Sequence, residues 1–251
     1  METKKEFILV TGATSGLGLS LVEKLVEQGE SVLACGRNFE HFPDLSKFGG
    51  GITKNYTFDL RNVSDLAASL RTYIEEKNIR VKGFVHCAGV SPISPLRMMN
   101  ASAIQDVFAV NLFSAMEILR VLTRKRINHS ALKSVVLISS IASIRGTSGM
   151  SAYCASKGAL DSMARALAVE FAPKVRINTV RPGALPTDIL KKAGVSPIVT
   201  EDFQAHPEAH GSLLGCGELS DVTELVHFLL SENARWITGQ CFNVDGGVTA
   251  H

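Results

Sequence analysis

The sequence lacks the features of secreted, membrane-spanning and nucleic-acid-binding proteins. Its five cysteines form no C-x-x-C pair, and their odd number and wide spacing argue against a disulfide framework and a zinc site. The N-terminal apolar run Phe7–Val10 is too short for a signal peptide, and no segment approaches the about 20 apolar residues that cross a bilayer. A formal net charge of +2 gives no basic excess for nucleic acid. These absences predict a cytoplasmic protein with reduced thiols and no membrane or nucleic-acid partner.

The sequence does contain enough apolar residues for one large globular unit. Hydrophobic residues make up 45% of the chain and charged residues 20%, which favours a single domain over residues 1–251. Short β-branched runs alternate with longer segments of helical periodicity, which indicates parallel strands joined by right-handed helical crossovers. We therefore predict an α/β fold with a doubly wound parallel sheet in a three-layer αβα sandwich. The predicted strands are 7–10, 31–35, 53–58, 83–87, 134–139, 176–181 and 241–244, and the predicted helices are 17–28, 64–77, 102–128, 152–172 and 218–231.

Two segments interrupt this alternation. Residues 39–55 contain Pro43 and the triplet Gly49–Gly51, so we expect the helix of that crossover to be short or missing. Residues 186–217 contain further prolines and several glycines. Loops of that length in a compact domain often close over an active site, and we predict a substrate lid there.

The same segment contains the one pair of histidines with helical spacing. His206 and His210 are four residues apart, but Pro207 lies between them and no third ligand is evident. We predict no metal site.

A glycine-rich turn follows the first predicted strand and opens the first predicted helix. Residues 11–18 read T-G-A-T-S-G-L-G. Gly12 suits a tight turn, Gly16 lets the backbone approach a pyrophosphate, and Gly18 allows the helix to pack closely on the strand. The amides and the positive dipole end at the start of the helix attract phosphate. The turn therefore predicts a dinucleotide site, and a purely structural turn is the alternative.

Tyr153 and Lys157 are one helical turn apart in a predicted helix. A free phenol has a pKa of about 10 and exchanges protons poorly near neutrality, but a neighbouring cation stabilises the phenolate. Ser140 lies upstream and could hold a substrate oxygen where the proton is exchanged. Ser139 is the rival for that role. A Tyr and a Lys on an ordinary surface helix are the alternative interpretation.

Several further motifs follow in a fixed order along the chain. The glycine turn has T-G-x-x-x-G-x-G spacing, and Ser140 precedes Tyr153 by thirteen residues. His86–Gly89 stands after the fourth predicted strand, and Asn111, Arg181–Gly183 and Val244–Gly247 follow it. In these motifs the chain resembles the short-chain dehydrogenase/reductase family over nearly its whole length, with His86–Gly89 where the family has N-N-A-G. The departures are His86 for asparagine, the short region after the second strand, and Pro186.

This resemblance implies a Rossmann-type fold and the reversible interconversion of a ketone and a secondary alcohol. By resemblance, Tyr153 exchanges a proton with the substrate oxygen and Ser140 orients that oxygen. Lys157 lowers the pKa of Tyr153 and binds the nicotinamide ribose. Asn111 holds a water that links Lys157 to solvent, or else bridges the sheet and the helix. The bound nicotinamide cofactor carries the hydride.

The end of the second predicted strand bears on the choice of cofactor. A carboxylate there would bind the adenosine ribose of NAD, but the sequence has Gly36 followed by Arg37. A guanidinium can bind a 2′-phosphate through two hydrogen bonds and stack on adenine, so we predict NADP, with NAD as the alternative. The remaining cofactor-binding residues implied by the resemblance are Thr14, Ser15, Leu17, Asp59, Leu60, Cys87, Ala88, Gly89, Pro182, Gly183, Leu185 and Thr187.

The substrate and the partners are less constrained than the reaction. The layout is similar to β-ketoacyl-acyl-carrier-protein reductases, which implies an acyl-thioester substrate and a possible acyl carrier protein docking on Arg124, Lys125 and Arg126. Those residues could instead complement a helix dipole. Small-molecule carbonyl substrates (steroids, polyols, sugars, secondary alcohols) remain open, as does a non-catalytic dinucleotide-binding regulator. The resemblance also implies a homo-oligomer, a tetramer or a dimer, paired through helices 102–128 and 152–172.

Overall fold

The computed structural model describes residues 5–47, 50–187 and 211–250, and a parallel sheet of seven strands runs through them. The strand order is β3-β2-β1-β4-β5-β6-β7, so the chain fills one half of the sheet from β1 outward and then returns past β1 to build the other half. This is the Rossmann-type doubly wound sheet that the sequence predicts. The strands are β1 (Glu6–Thr11), β2 (Val32–Gly36), β3 (Thr53–Thr57), β4 (Arg80–His86), β5 (Ser134–Ile138), β6 (Arg176–Pro182) and β7 (Cys241–Val244).

Helices cover both faces of the sheet. Phe7 and Leu9 of β1 belong to one buried apolar cluster, whereas Ile8 and Val10 belong to the other. Because successive side chains of a strand point to opposite faces, a strand buried on both sides must be apolar throughout, which explains the unbroken run in the sequence. The helices are α1 (Gly16–Glu27), α2 (Val63–Glu76), α3 (Ala101–Phe108), α4 (Ser114–Leu122), α5 (Lys125–Asn128), α6 (Ser151–Phe171) and α7 (Leu219–Leu230).

The single helix predicted over 102–128 is wrong in its interior and at its end. A π-turn, Ala109–Phe113, separates α3 from α4, and α4 ends at Leu122. The Thr123 hydroxyl donates to the Leu119 carbonyl at 2.7 Å, and Arg124 takes up an extended conformation before the single turn of α5. The exposed bases Arg124–Arg126 therefore begin α5, and do not end the long helix as predicted.

Strand β4 begins at Arg80, three residues before the predicted start at Gly83. The extra residues Arg80 and Val81 pair with Glu6 and Phe7 of β1. The Val81 backbone is also bound by Asn128, whose side chain is fully buried at the end of α5. Its amide accepts from the Val81 N–H at 2.7 Å and donates to the Val81 and Leu122 carbonyls at 2.8 and 3.1 Å. A side chain 47 residues away thus pairs the backbone at the start of this strand.

The two irregular segments are described in part. In the crossover between β2 and β3, the described residues form a 3-10 turn, Leu45–Lys47, and no α-helix. The proline and glycines of this segment predict such a short element. Residues 188–210, most of the predicted lid, lie outside the described residues, together with His206 and His210.

The helical segment Ala101–Leu122 is the one stretch of the described residues that is long and apolar enough to cross a membrane. Half of its most apolar window is buried inside the protein. That degree of burial is expected of a helix that packs on a sheet.

Replacing Asn128 by Ala is expected to lower the free energy of unfolding by about 3 kcal/mol, because it leaves three buried backbone groups without partners. Urea denaturation measures the change. Asn62→Ala is the matched control, since Asn62 is exposed and its side chain makes no capping bond at the start of α2. Equal effects of the two substitutions would contradict this account of β4.

Candidate active site

A cleft of about 1330 Å³ opens at the carboxyl ends of the parallel strands, beside the point where the chain reverses between β1 and β4. Ligands of open α/β sheets bind at such a switch point. All the cofactor-binding residues implied by the sequence line this cleft, and among the four catalytic candidates only Asn111 does not. The lining residues from that set are Gly12, Thr14, Ser15, Gly16, Leu17, Gly18, Gly36, Arg37, Asp59, Leu60, Cys87, Ala88, Gly89, Ser140, Tyr153, Lys157, Pro182, Gly183, Leu185 and Thr187.

The glycine turn has the close contacts that a phosphate cradle requires. A Cβ on Gly18 would lie 2.2 Å from the Gly12 carbonyl oxygen, so only glycine lets α1 begin this close to β1. Gly12 has φ +65°, and a Cβ there would meet the Ala88 backbone at 2.9 Å. The first turn of α1 carries no acidic residue, and its amides face the cleft. These features fit the pyrophosphate of a dinucleotide.

The adenosine end of the cleft lies at the ends of β2 and β3. Gly36 has no room for a side chain, since its Cβ would lie 2.5 Å from Thr14 Cγ2. Arg61, which the sequence analysis missed, holds Asp59 through two guanidinium nitrogens at 2.5 and 3.1 Å. That hydrogen bonding keeps the pKa of Asp59 below its usual value. Arg37 is exposed beside them and belongs to no ion pair among the described residues.

Ser140, Tyr153 and Lys157 meet at the other end of the cleft. Helix α6 places Tyr153 and Lys157 one turn apart, with only 8% and 3% of their surfaces exposed. The loop after β5 places the Ser140 hydroxyl in the same part of the cleft as the Tyr153 phenol, near enough to act on the pKa of that phenol. Lys157 Nζ donates to the Ile138 carbonyl at 2.7 Å and lies 5.7 Å from the centroid of the Tyr153 ring.

The pKa shift of Tyr153 is opposite to the one expected. Burial raises the pKa of Tyr153, and the nearby Ser140 hydroxyl opposes this shift. Lys157 does not offset the burial, because its ammonium is directed to the Ile138 carbonyl and faces the ring. Burial also lowers the pKa of Lys157 to about 8. The Tyr153 phenol is therefore protonated at neutral pH and can act as an acid.

The two neighbouring serines have different environments. Ser140 Oγ accepts from the Ala142 N–H at 3.1 Å and so caps the short 3-10 turn Ile141–Ser143, which fixes its hydroxyl at the cleft. Ser139 is buried, and its hydroxyl donates to the Lys157 carbonyl at 3.3 Å. Ser140 is the better placed of the two to meet a substrate oxygen.

Asn111 lies in the π-turn and is fully buried. Its side chain accepts from the Val90 N–H at 2.8 Å and donates to the Val90 carbonyl and to Ser156 Oγ, each at 3.0 Å. Asn111 thus bridges the loop after β4 and helix α6. A Cβ on Gly89 would lie 3.5 Å from Lys157 Nζ and 3.6 Å from Asn111 Oδ1, so the missing side chain keeps the two groups accessible to each other.

His86 stands where the family has asparagine, and its side chain contacts the π-turn. Its Nε2 is 3.2 Å from the Val110 carbonyl, which can only accept, so Nε2 carries the proton. Nδ1 then accepts from the Thr11 hydroxyl at 2.9 Å, and Thr11 Oγ1 accepts from the Ala88 N–H. Burial lowers the pKa of His86 to about 3, which keeps the imidazole neutral.

No group of His, Cys, Asp and Glu residues suited to a metal ion occurs in the described part of the chain. Cys87 is a free thiol that lines the cleft after β4. Burial raises its pKa to about 12, so it is no nucleophile near neutral pH.

The burial of neutral His86 predicts acid sensitivity. The unfolded chain binds a proton at His86 below about pH 6.5 and the folded chain does not until about pH 3, so stability falls as the pH drops through that window. Between pH 7 and pH 5 this residue accounts for a loss of about 2 kcal/mol. His86→Asn is expected to remove that part of the pH dependence in urea denaturation, whereas His129→Asn, at an exposed histidine, leaves it unchanged. Parallel pH profiles for wild type and His86→Asn would contradict the assignment.

Comparison with known proteins agrees with this geometry. A family model described as enoyl-(acyl carrier protein) reductase matches residues 12–249. The chain is 30% identical to a 3-oxoacyl-acyl-carrier-protein reductase of Rickettsia prowazekii, over 96% of this chain and 95% of the relative. It is 29% identical to an NADP-dependent (R)-specific alcohol dehydrogenase of Lentilactobacillus kefiri, over 98% of both chains.

Among solved structures, 4-hydroxyisoleucine dehydrogenase complexed with NADH superposes with a TM-score of 0.88 at 27% identity, covering 98% of this chain and 100% of that one. These relatives differ in substrate and in cofactor, but they share one architecture and one class of chemistry. The glycine turn, the Ser140–Tyr153–Lys157 group and the match over nearly the whole length lead to one conclusion: this chain belongs to the short-chain dehydrogenase/reductase family of oxidoreductases.

Proposed function

We propose that the protein is an NADP(H)-dependent oxidoreductase that interconverts a ketone and a secondary alcohol. The observation that carries this proposal is the buried Tyr153 phenol, which lines the same cleft as Ser140, Lys157 and the glycine turn. When bound, the nicotinamide cofactor supplies or accepts the hydride. The protein must then exchange one proton with the substrate oxygen.

In the direction of reduction, Tyr153 is the proton donor. As the carbonyl carbon gains a hydride, its oxygen becomes an alkoxide, and the O–H bond of Tyr153 breaks to give the alcohol and a phenolate. Ser140 donates a hydrogen bond to that oxygen and fixes its position. The raised pKa of Tyr153 keeps this acid protonated at neutral pH. The reverse reaction uses the phenolate as a base.

Lys157 stabilises the phenolate once it forms. The ammonium is buried, so its charge acts in a medium of low dielectric constant. The spacing of Gly89, Asn111 and Lys157 supports the further proposal that Asn111 holds a water through which the proton is replaced from solvent. In that proposal, Asn111 acts on the ammonium rather than on the substrate.

The proposed preference for NADP(H) rests on Arg37. Arg37 is exposed at the adenosine end and belongs to no described ion pair, whereas the neighbouring Arg61 is held by Asp59. A guanidinium without an ion-pair partner suits a 2′-phosphate. Gly36 stands where NAD-dependent proteins have a carboxylate that binds the adenosine ribose, and a Cβ there would clash with Thr14, so the site lacks that contact with NAD. An NAD-dependent dehydrogenase is the alternative.

A second candidate function is reduction of an acyl thioester carried by an acyl carrier protein. Arg124, Lys125 and Arg126 form an exposed basic group around the start of α5, and its charge suits an acidic partner.

We also propose a cytoplasmic homo-oligomer, either a tetramer or a dimer. Phe113, Met116 and Val169 expose 43%, 45% and 81% of their surfaces on the helical layer that would pair.

Tyr153→Phe is expected to lower kcat for ketone reduction by about 10²- to 10⁴-fold, because the substitution removes the proton donor and leaves the ring. Steady-state kinetics with NADPH and a panel of ketones, acyl thioesters included, measures the loss. Ser139→Ala is the matched control, since Ser139 lies beside the group without facing the substrate oxygen. Unchanged turnover in Tyr153→Phe would show that another group donates the proton, and no turnover of any ketone would favour a dinucleotide-binding regulator.

The pH dependence should differ between the two directions. Reduction needs the Tyr153 proton and the Lys157 ammonium, so kcat/KM is expected to be steady at neutral pH and to fall as the pH rises through about 8. Oxidation needs the phenolate and is expected to rise with pH. Rates measured in both directions from pH 6 to 10 test this, and a reduction rate that increases above pH 8 would contradict it.

Arg37→Met is expected to raise KM for NADPH by about 10- to 100-fold, because a charge-assisted contact with the 2′-phosphate is lost. KM for NADH serves as the internal control and should change little. If NADH binds more tightly than NADPH to the wild-type protein, the cofactor assignment is overturned while the proposed reaction stands.

A further inference from the structure

Two loops wall the substrate end of the cleft, and a backbone contact joins them. One loop follows β4 and includes Ile93, and the other follows β5 and includes Arg145 and Met150. The Ser94 N–H donates to the Gly149 carbonyl at 2.9 Å. Gly149 has φ +77°, and a Cβ there would lie 3.1 Å from Ile93 Cγ2, so the two loops meet closely at a residue that has no side chain.

The backbone of Arg145 is fixed beside the catalytic residues. Its N–H donates to the Ile141 carbonyl at 2.9 Å, and Ile141 directly follows Ser140. Its carbonyl accepts from the Cys154 thiol at 3.9 Å, and Cys154 directly follows Tyr153. The Arg145 backbone is therefore anchored to the two segments that carry Ser140 and Tyr153, and its exposed side chain lines the cleft.

The charge of Arg145 has no partner in the described part of the protein. None of the ion pairs found there includes it. Two carboxylates of the described residues line the cleft, and both act on Arg61: Asp59 pairs with it, and the charge of Asp106 also raises its pKa. Within residues 5–47, 50–187 and 211–250, the substrate end of the cleft thus combines an arginine with no acidic side chain that pairs with it.

The walls around this arginine are apolar. Ile93 is 41% exposed although it lines the cleft, and Met150, in the same loop as Arg145, lines it too. Apolar surface of this kind binds the carbon skeleton of a ligand, and a few polar groups set its orientation. A ligand that matches both features has an apolar body and an anionic end.

We propose that Arg145 selects substrates in which the ketone is joined through a short apolar chain to a carboxylate or a similar anion. The guanidinium binds the anion through charge-assisted hydrogen bonds while the ketone oxygen meets Ser140 and Tyr153. This deepens the proposed function and rests on it. The keto acid class is thereby favoured over neutral ketones.

Matched pairs of ketones test the proposal. The probes are 4-oxopentanoate and 5-oxohexanoate, each compared with its amide, which keeps the skeleton and removes the charge. In the wild-type protein with NADPH, KM for one of the acids is expected to be at least about tenfold lower than for its amide. Arg145→Met should abolish that difference by raising KM for the acid, with kcat and the kinetics of the amide little changed. Arg145→Lys should restore part of the preference.

A control arginine and a binding measurement make the result decisive. Arg97 is exposed on the 3-10 turn Leu96–Met98 and does not line the cleft, so Arg97→Met should keep the full preference for the acid. Calorimetric titration of the NADP⁺-saturated protein with hexanoate and hexanamide measures the same charge selectivity without turnover. Selectivity that is lost in Arg145→Met supports the proposal. Equal affinities in the wild type, or a preference that survives in Arg145→Met, overturn it, and turnover of neutral ketones would still leave the oxidoreductase assignment intact.

Discussion

The burial of the Lys157 ammonium is the constraint on which the active-site end of the cleft depends. A cation that is removed from water must be stabilised by fixed dipoles, or it loses its proton. The carbonyl of Ile138, at the end of β5, supplies such a dipole, and the charge of Asp161, one turn further along α6, also favours the protonated form. These contacts fix α6 against the carboxyl edge of the sheet, and Tyr153 is fixed with it.

The remaining site residues are held by a network that the chain assembles from distant parts. Asn111 joins the loop after β4 to α6, and His86 joins β1 to the π-turn that presents Asn111. A π-turn redirects the carbonyls of a helix, and the Val110 carbonyl takes its hydrogen bonds from His86 and from the Ser114 hydroxyl. His86 and Asn111 have partners for both of their side-chain polar atoms, and these bonds hold the π-turn in one position beside α6.

Much of the architecture could be predicted from the sequence, because it depends on local patterns. The unbroken apolar strands, the helical periodicity and the glycine spacing gave the parallel sheet, the order of its elements and the position of the dinucleotide cleft. The start of β4 and the end of the long helix could not be predicted in the same way. The start of β4 depends on its pairing with β1 and on Asn128, which binds the Val81 backbone across 47 residues. Asn128 also binds the Leu122 carbonyl where α4 ends, and no local pattern records these contacts.

The candidate site divides along the same line. The motifs identified which residues would meet, and the cleft brings nearly all of them together. The direction of the Tyr153 pKa shift was beyond reach, because it depends on how deeply the ring is buried and on where Lys157 directs its ammonium. Arg61 and Arg145 were missed for a related reason: the role of an arginine in a loop cannot be inferred until its neighbours in the fold are known.

The reversal of the chain between β1 and β4 assigns the two ends of the cleft to different strands and loops. Residues from β1, β2 and β3 build the end that faces the adenosine, while the loops after β4 and β5 build the end that faces the substrate. Arg37 follows β2 and Arg145 lies in the loop after β5, so substitutions of these two residues should have nearly additive effects on binding. A fold of this kind can exchange one specificity while it keeps the other, which is consistent with relatives that share the scaffold and differ in both nucleotide and substrate.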